Sequence, residues 1–188
     1  MRINLKQGYQ GQLLIAQPTS VSSFFFQSVV LVCDHTDQGS WGLTLNKVSS
    51  AIMVKNIAQD LGLDYVHDDP VYIGGPVQDN SIHFLHTPDV VCHNTWHVTN
   101  TVSVTSSVDM MKHICTGVGP KFWKLCIGIS AWQAGQLEGE MSGQEPWTPQ
   151  HRWLTKPCPR NLFDLPSTQL WKTQTIKLSP HVLVIEPN

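Results

Sequence analysis

The segment from Ser28 to Cys33 (SVVLVC) constrains the fold more than any other stretch of this chain. It is rich in β-branched residues and nearly continuous in apolar ones. A strand turns successive side chains to opposite faces, so a run of this kind is stable only when both faces are covered. The chain must therefore build a sheet with cover on each side. Phe122 to Ser130 reads as a second central strand of the same type. Composition supplies the cover: 41% of residues are apolar and only 14% charged, with seven Trp and six Phe. Ordinary domains carry roughly 25% charged residues, and a chain this apolar folds rather than staying disordered. Its 188 residues read as one domain, spanning 1–188, with no internal repeat and no dividing linker.

Around these two strands the elements are mixed. Gln12 to Ala16 is a short apolar strand, and Asp37 to Ser40 is a turn from which Trp41 to Leu45 returns as a hairpin arm. Ser49 or Ser50 is placed to cap a helix over about Ala51 to Leu61, stopped by Gly62. Val71 to Ile73 and Ser81 to His86 are strands around the turn Gly74-Gly75-Pro76, and Thr101 to Thr105 is another. Ser106 or Ser107 caps a helix over Val108 to Cys115, and a third helix is expected from near Ala131 to about Met141. Beyond Ser142 the rise in Pro and Trp reads as irregular structure, ending in a strand at His181 to Ile185. Without regular βαβα alternation, this order predicts an α+β fold.

Several chemistries lack the residues they require. His83, His86, His93, His97 and Cys92 lack the three or four converging ligands that zinc requires, so no metal is expected. Gly128-Ile-Ser130-Ala-Trp132 is one residue short of a nucleophile elbow, with bulk where the tight turn needs glycine. Gly74-Gly75-Pro76 lacks the lysine and spacing of a phosphate loop, and no cofactor is called for. A net charge of −2 gives no field for nucleic acid, although acids crowd Asp34 to Asp109 and bases are spread over Lys121 to Lys177. The five cysteines show no paired spacing and mostly sit in apolar strings, which points to reduced thiols and a cytoplasmic setting. No signal peptide and no membrane span is read.

One segment has chemical character. If Trp132 to Met141 is helical, Trp132, Gln136 and Glu140 line one face and Ala134, Leu137 and Met141 the other. An aromatic plate, an amide and a carboxylate on one side suit a polar ligand, and equally suit a helix packed through its Trp.

These words also form a longer pattern. Leu14-Ile-Ala16-x-Pro18-Thr19, Phe25-x-x-Ser28-Val29-Val30, His35-x-x-x-Gly39-x-x-Gly42-Leu43 and Asn46-Lys47 come first. Gly74-Gly75-Pro76-Val77, Leu85-His86-Thr87-Pro88 and Trp132-x-x-Gly135-Gln136-Leu137-Glu138-x-Glu140 follow, then Trp147 and Leu162-Phe163-x-x-Pro166. Over residues 10–171 the chain resembles the YqgE/AlgH family. It departs at Ser22, Val48 and Ala131, where the family usually has Asp, Pro and Gly. The resemblance implies a bacterial cytosolic protein whose bent, branched mixed sheet closes into a partial barrel with helices packed outside. It implies no reaction. Some members carry a transcriptional-regulator label, which this charge pattern does not support as direct DNA binding.

The expectation is a non-enzymatic binding or regulatory protein with an unidentified protein or small-molecule partner. The alternative is a metal-independent hydrolase, with Glu138 or Glu140 as base and His35 or His86 as its partner. Gly, Asn, His and Trp are poor core fillers. His35, Asn46, Gly74, Gly75, His86, Trp132, Gln136, Glu138 and Glu140 are therefore expected to converge on one cleft partly lined by Trp132.

Overall fold

The computed structural model describes residues 8–17, 24–143, 146 and 153–176. The expected strand at 181–185, the departure at Ser22 and the motif positions Pro18, Thr19 and Trp147 lie outside the described residues. The strands are β1 (Gln12–Ala16), β2 (Val29–Thr36), β3 (Gly39–Thr44), β4 (Val48–Met53), β5 (Pro70–Ile73) and β6 (Val77–His86). They continue with β7 (Trp96–His97), β8 (Ser103–Thr105), β9 (Trp123–Gln133) and β10 (Trp153–Pro157). The helices are α1 (Val54–Asp60), α2 (Val108–Cys115), α3 (Gln136–Ser142) and α4 (Ser167–Ile176), with a 3₁₀ turn at Leu162–Asp164.

The main path of the sheet runs β10-β1-β2-β3-β9-β6-β8-β7 and curls into a half-barrel of antiparallel pairs. Strand β9 is where it branches. Its first half, Leu125 to Ile127, pairs in parallel with β5, and its second half, Ser130 to Gln133, pairs antiparallel with β3 on that same edge. At the fork the chain leaving β5 crosses β9 at contact distance. A Cβ on Gly75 would lie 2.0 Å from the carbonyl carbon of Ile129, and Gly128 takes φ +72 beneath it. No side chain fits at that crossing. Gly74 completes the junction: its N–H donates to Ile127 O at 2.7 Å, and its carbonyl accepts from Thr44 N–H at 2.7 Å and Ser130 Oγ at 3.1 Å.

The two-sided cover demanded by β2 is present. Leu31 and Cys33 face the concave side with Leu13, Ile15, Leu43, Leu85 and Val104, and Leu162 and Leu170 join them from the C-terminal segment. Val30 and Val32 face outward against Leu137 of α3, with Trp132 and Trp153. Farther along the outer face, α1 and α2 pack Val54, Ile57, Met110 and Met111 on Val71, Phe84 and Leu125.

Three expectations are corrected. The first helix begins at Val54, because Ser49 Oγ accepts the N–H groups of Ala51 and Ile52 and holds that stretch in β4. Strand β9 continues through Trp132 to Gln133, and α3 starts only after Gly135, which takes φ +74. The region after Ser142, read as irregular, contains β10 and α4.

Candidate functional site

The turn between β2 and β3 sets His35 directly across from Ser40, and Ser40 lies across from Trp132 on β9. Paired residues share a face, so these side chains form one row on the outer side of the sheet. His35 Nδ1 is 2.7 Å from Ser40 Oγ. Helix α3 lies over the row and brings Glu138 Oε1 to 3.4 Å from His35 Nε2. A carboxylate at Nε2 favours the proton there and leaves Nδ1 to accept from the serine hydroxyl. The Tyr9 ring meets the imidazole edge-on at 5.1 Å, and burial with the nearby Glu138 charge pushes the Tyr9 hydroxyl pKa up.

The other motif carboxylate is engaged on all sides. Glu140 Oε2 accepts the indole N–H of Trp132 at 3.0 Å and of Trp153 at 2.9 Å, while Oε1 accepts from Gln136 Nε2 at 2.9 Å. The Gln136 carbonyl in turn accepts the N–H of Gln133 at 3.0 Å. Phe25 closes the cluster, 6.4 Å from Trp132 and 5.3 Å from Trp153 between ring centres. The face formed by Trp132, Gln136 and Glu140 is therefore shared between a strand and a helix, and it is filled.

The remaining candidates lie elsewhere. Asn46 clamps the turn before β2: its Oδ1 accepts Val29 N–H at 2.8 Å and its Nδ2 donates to Gln27 O at 2.7 Å. Gly74 and Gly75 belong to the fork. His86 pairs with Trp123, nine positions before Trp132 on β9, which separates them by roughly 30 Å at ~3.3 Å per residue. It is fully buried, with Nδ1 donating to Thr87 O at 2.8 Å and Nε2 without a partner among the described residues. Desolvation lowers its pKa. The structure thus brings together His35, Trp132, Gln136, Glu138 and Glu140, and leaves Asn46, Gly74, Gly75 and His86 apart from them. Ser130, in the incomplete elbow, is buried with its hydroxyl on Gly74 O.

A concavity of about 240 Å³ opens at the His86 end, between the chain leaving β6 and the 3₁₀ turn. Phe122 and Phe163 stack there with ring centres 6.2 Å apart and planes 12° from parallel. Thr87 fixes Phe122 by accepting its N–H at 3.2 Å through Oγ1 and donating its own N–H to Phe122 O at 3.0 Å. Asn100, Arg160, Asn161 and Asp164 complete the polar lining, and among the described residues none of these four side chains has a hydrogen bond or ion pair. The site candidates read from sequence omitted this cleft, and also Ser40, Tyr9 and Trp153. The available signals were the words Thr87-Pro88 and Phe163-x-x-Pro166, which meet here.

The comparisons with known proteins agree with this architecture. The AlgH-like family model, DUF179, matches residues 13–182. The chain belongs to the AlgH-like family. A UPF0301 protein of Pectobacterium atrosepticum is 33% identical over 177 residues, covering 90% of this chain and 91% of its own length. One from Thiobacillus denitrificans is 34% identical over 156 residues, covering 81% and 80%. The solution structure of the AlgH protein from Pseudomonas aeruginosa superposes with a TM-score of 0.75 at 26% identity, covering 100% of this chain and 99% of that one. A crystal structure of a Corynebacterium diphtheriae protein superposes at 0.72 with 22% identity, covering 97% and 92%, and shares the fold. These AlgH-like relatives bring no reaction with them. As for membranes, no helix among the described residues is long and apolar enough to cross one.

Proposed function

We propose that this AlgH-like protein is a non-catalytic binding protein, and that it recognises its partner or ligand in the cleft floored by Phe122 and Phe163. One contrast carries the reading. The polar groups around Trp132 are spent on each other, whereas among the described residues the side chains of Asn100, Arg160, Asn161 and Asp164, which line the cleft, have no partner. Unpaired polar groups around an aromatic floor are what a recognition site offers. A regulatory role would then run through the bound partner. Counterion release needs clustered Lys and Arg, and here the basic excess is thinly spread.

The test is capture from a bacterial lysate by the full chain and by an Arg160→Gln/Phe122→Ala variant, with retained proteins and small molecules identified by mass spectrometry. A species held by the parent and lost by the variant is expected. Identical retained sets would remove the cleft from the function.

A second reading, a metal-independent hydrolase, is favoured by the aligned Ser40, His35 and Glu138. Ser40 is only 7% exposed under α3, so a substrate would have to displace that helix. Hydrolysis of p-nitrophenyl acetate that disappears in both Ser40→Ala and His35→Gln would establish this reading. Activity equal in all three proteins would end it.

A further inference from the structure

The lining of the cleft specifies a ligand class, provided the cleft is the recognition site. It presents one cation, Arg160, just before the 3₁₀ turn and one anion, Asp164, as the last residue of that turn, and neither is neutralised by another described side chain. A purely anionic ligand would meet Asp164 unfavourably, and a purely cationic one would meet Arg160 in the same way. A ligand bearing both charges satisfies both. The floor is a pair of near-parallel Phe rings, to which a further ring adds offset or edge-on. Asn100 and Asn161 provide amide donors and acceptors beside the two charges. At about 240 Å³ the cleft is smaller than the roughly 300–1,000 Å³ of drug-sized sites, and a small ligand is enough to fill it.

We propose that the cleft binds a small zwitterion carrying an aromatic ring, of the size and charge pattern of a free aromatic amino acid. Arg160 takes the carboxylate, Asp164 takes the ammonium group, and Phe122 with Phe163 takes the ring. Each charge is recognised by its own residue. That separates this proposal from general apolar stickiness.

The experiment is a titration of the ¹⁵N-labelled full chain with L-phenylalanine, followed by amide shifts. N-acetyl-L-phenylalanine lacks the ammonium group, L-phenylalaninamide lacks the carboxylate and L-alanine lacks the ring. L-phenylalanine should shift amides from 87, 100, 122 and 161–164, and each analogue should bind about fivefold to tenfold more weakly. In Arg160→Gln the difference between L-phenylalanine and its amide should vanish, and in Asp164→Asn the difference from the N-acetyl compound. Both are surface changes, and the unperturbed remainder of the spectrum reports that the fold is intact. No shifts with L-phenylalanine, or equal binding of the analogues, overturns the assignment. Tighter binding of N-acetyl-L-phenylalaninamide also overturns it, in favour of a peptide segment. If lysate capture still separates parent from variant while L-phenylalanine fails, the cleft remains a binding site and only the zwitterion is wrong. If both fail, both readings fall.

Discussion

Trp132 on β9 and Trp153 on β10 donate their indole N–H groups to the same oxygen, Oε2 of Glu140, at 3.0 and 2.9 Å. Two strands that are not neighbours in the sheet are thereby tied to α3 through a single carboxylate. Both indoles are 5% exposed, so water is poorly placed to replace that partner.

Removing the carboxylate should therefore be costly. Hydrogen bonds to a charged group are each worth ~1.5–3 kcal/mol, and buried donors left without partners add a penalty. Glu140→Ala is expected to lose about 3 kcal/mol or more in denaturant unfolding followed by Trp fluorescence. Glu140→Gln, which keeps an acceptor, should fall between it and the parent. A Glu140→Ala protein as stable as the parent would show that the three donors find other partners.

Glycine matters at the fork for space. Gly75→Ala places a methyl group 2.0 Å from backbone carbon, which only displacement of β9 can relieve. Ordinary overpacking costs ~1–3 kcal/mol, and a backbone clash should exceed it, abolishing soluble expression or the cooperative transition. Gly62→Ala is the control: φ is +70 there, but no described atom lies within 4 Å of the new Cβ. It should cost only about 1 kcal/mol by calorimetry.

Acid should weaken the fold through two desolvated histidines. Desolvation lowers the pKa of both His86 and His83 below the ordinary 6.5. The folded state therefore disfavours the proton that the unfolded chain accepts. The stability this provides is complete above the unfolded pKa and is lost as pH falls through 6.5 toward the lowered folded values. Each histidine contributes a slope of at most ~1.4 kcal/mol per pH unit. Unfolding free energies measured from pH 7.5 to 5 should decline, and His86→Gln should flatten the curve. A slope unchanged by that substitution would assign the decline to other groups.

Thiol chemistry should divide the cysteines. Burial raises the Cys33 thiol well above its usual range and pushes Cys126 and Cys158 up to about 12. All five are free thiols. A disulfide exchange reagent at pH 8 should leave Cys33, Cys126 and Cys158 unreacted in the folded protein and titrate five thiols after denaturation. Rapid native reaction of Cys126 would mean that β9 opens on that timescale.

Local sequence determined the parts of this protein whose stability depends on near neighbours. Ser107 caps α2 and Thr116 with Gly117 ends it, interactions within a few residues, so Val108–Cys115 was readable as written. The unbroken apolar run in β2 likewise announced cover on both faces, because strand alternation allows nothing else. Trp132 shows the other case. Its neighbours have helical spacing, yet pairing with Ser40 holds it in β9, and Gly135 in the left-handed region delays the helix. Only that placement, with Trp153 arriving from β10, turns Glu140 into an internal tie. The cleft is equally a product of the tertiary structure. Thr87, Phe122 and Phe163 lie far apart in sequence, and they meet because β6 pairs with β9 and the C-terminal segment folds back over that end. Capping and alternation act over a few residues and leave a local signature. Strand pairing is settled by burial summed over distant segments, which no window of the sequence contains.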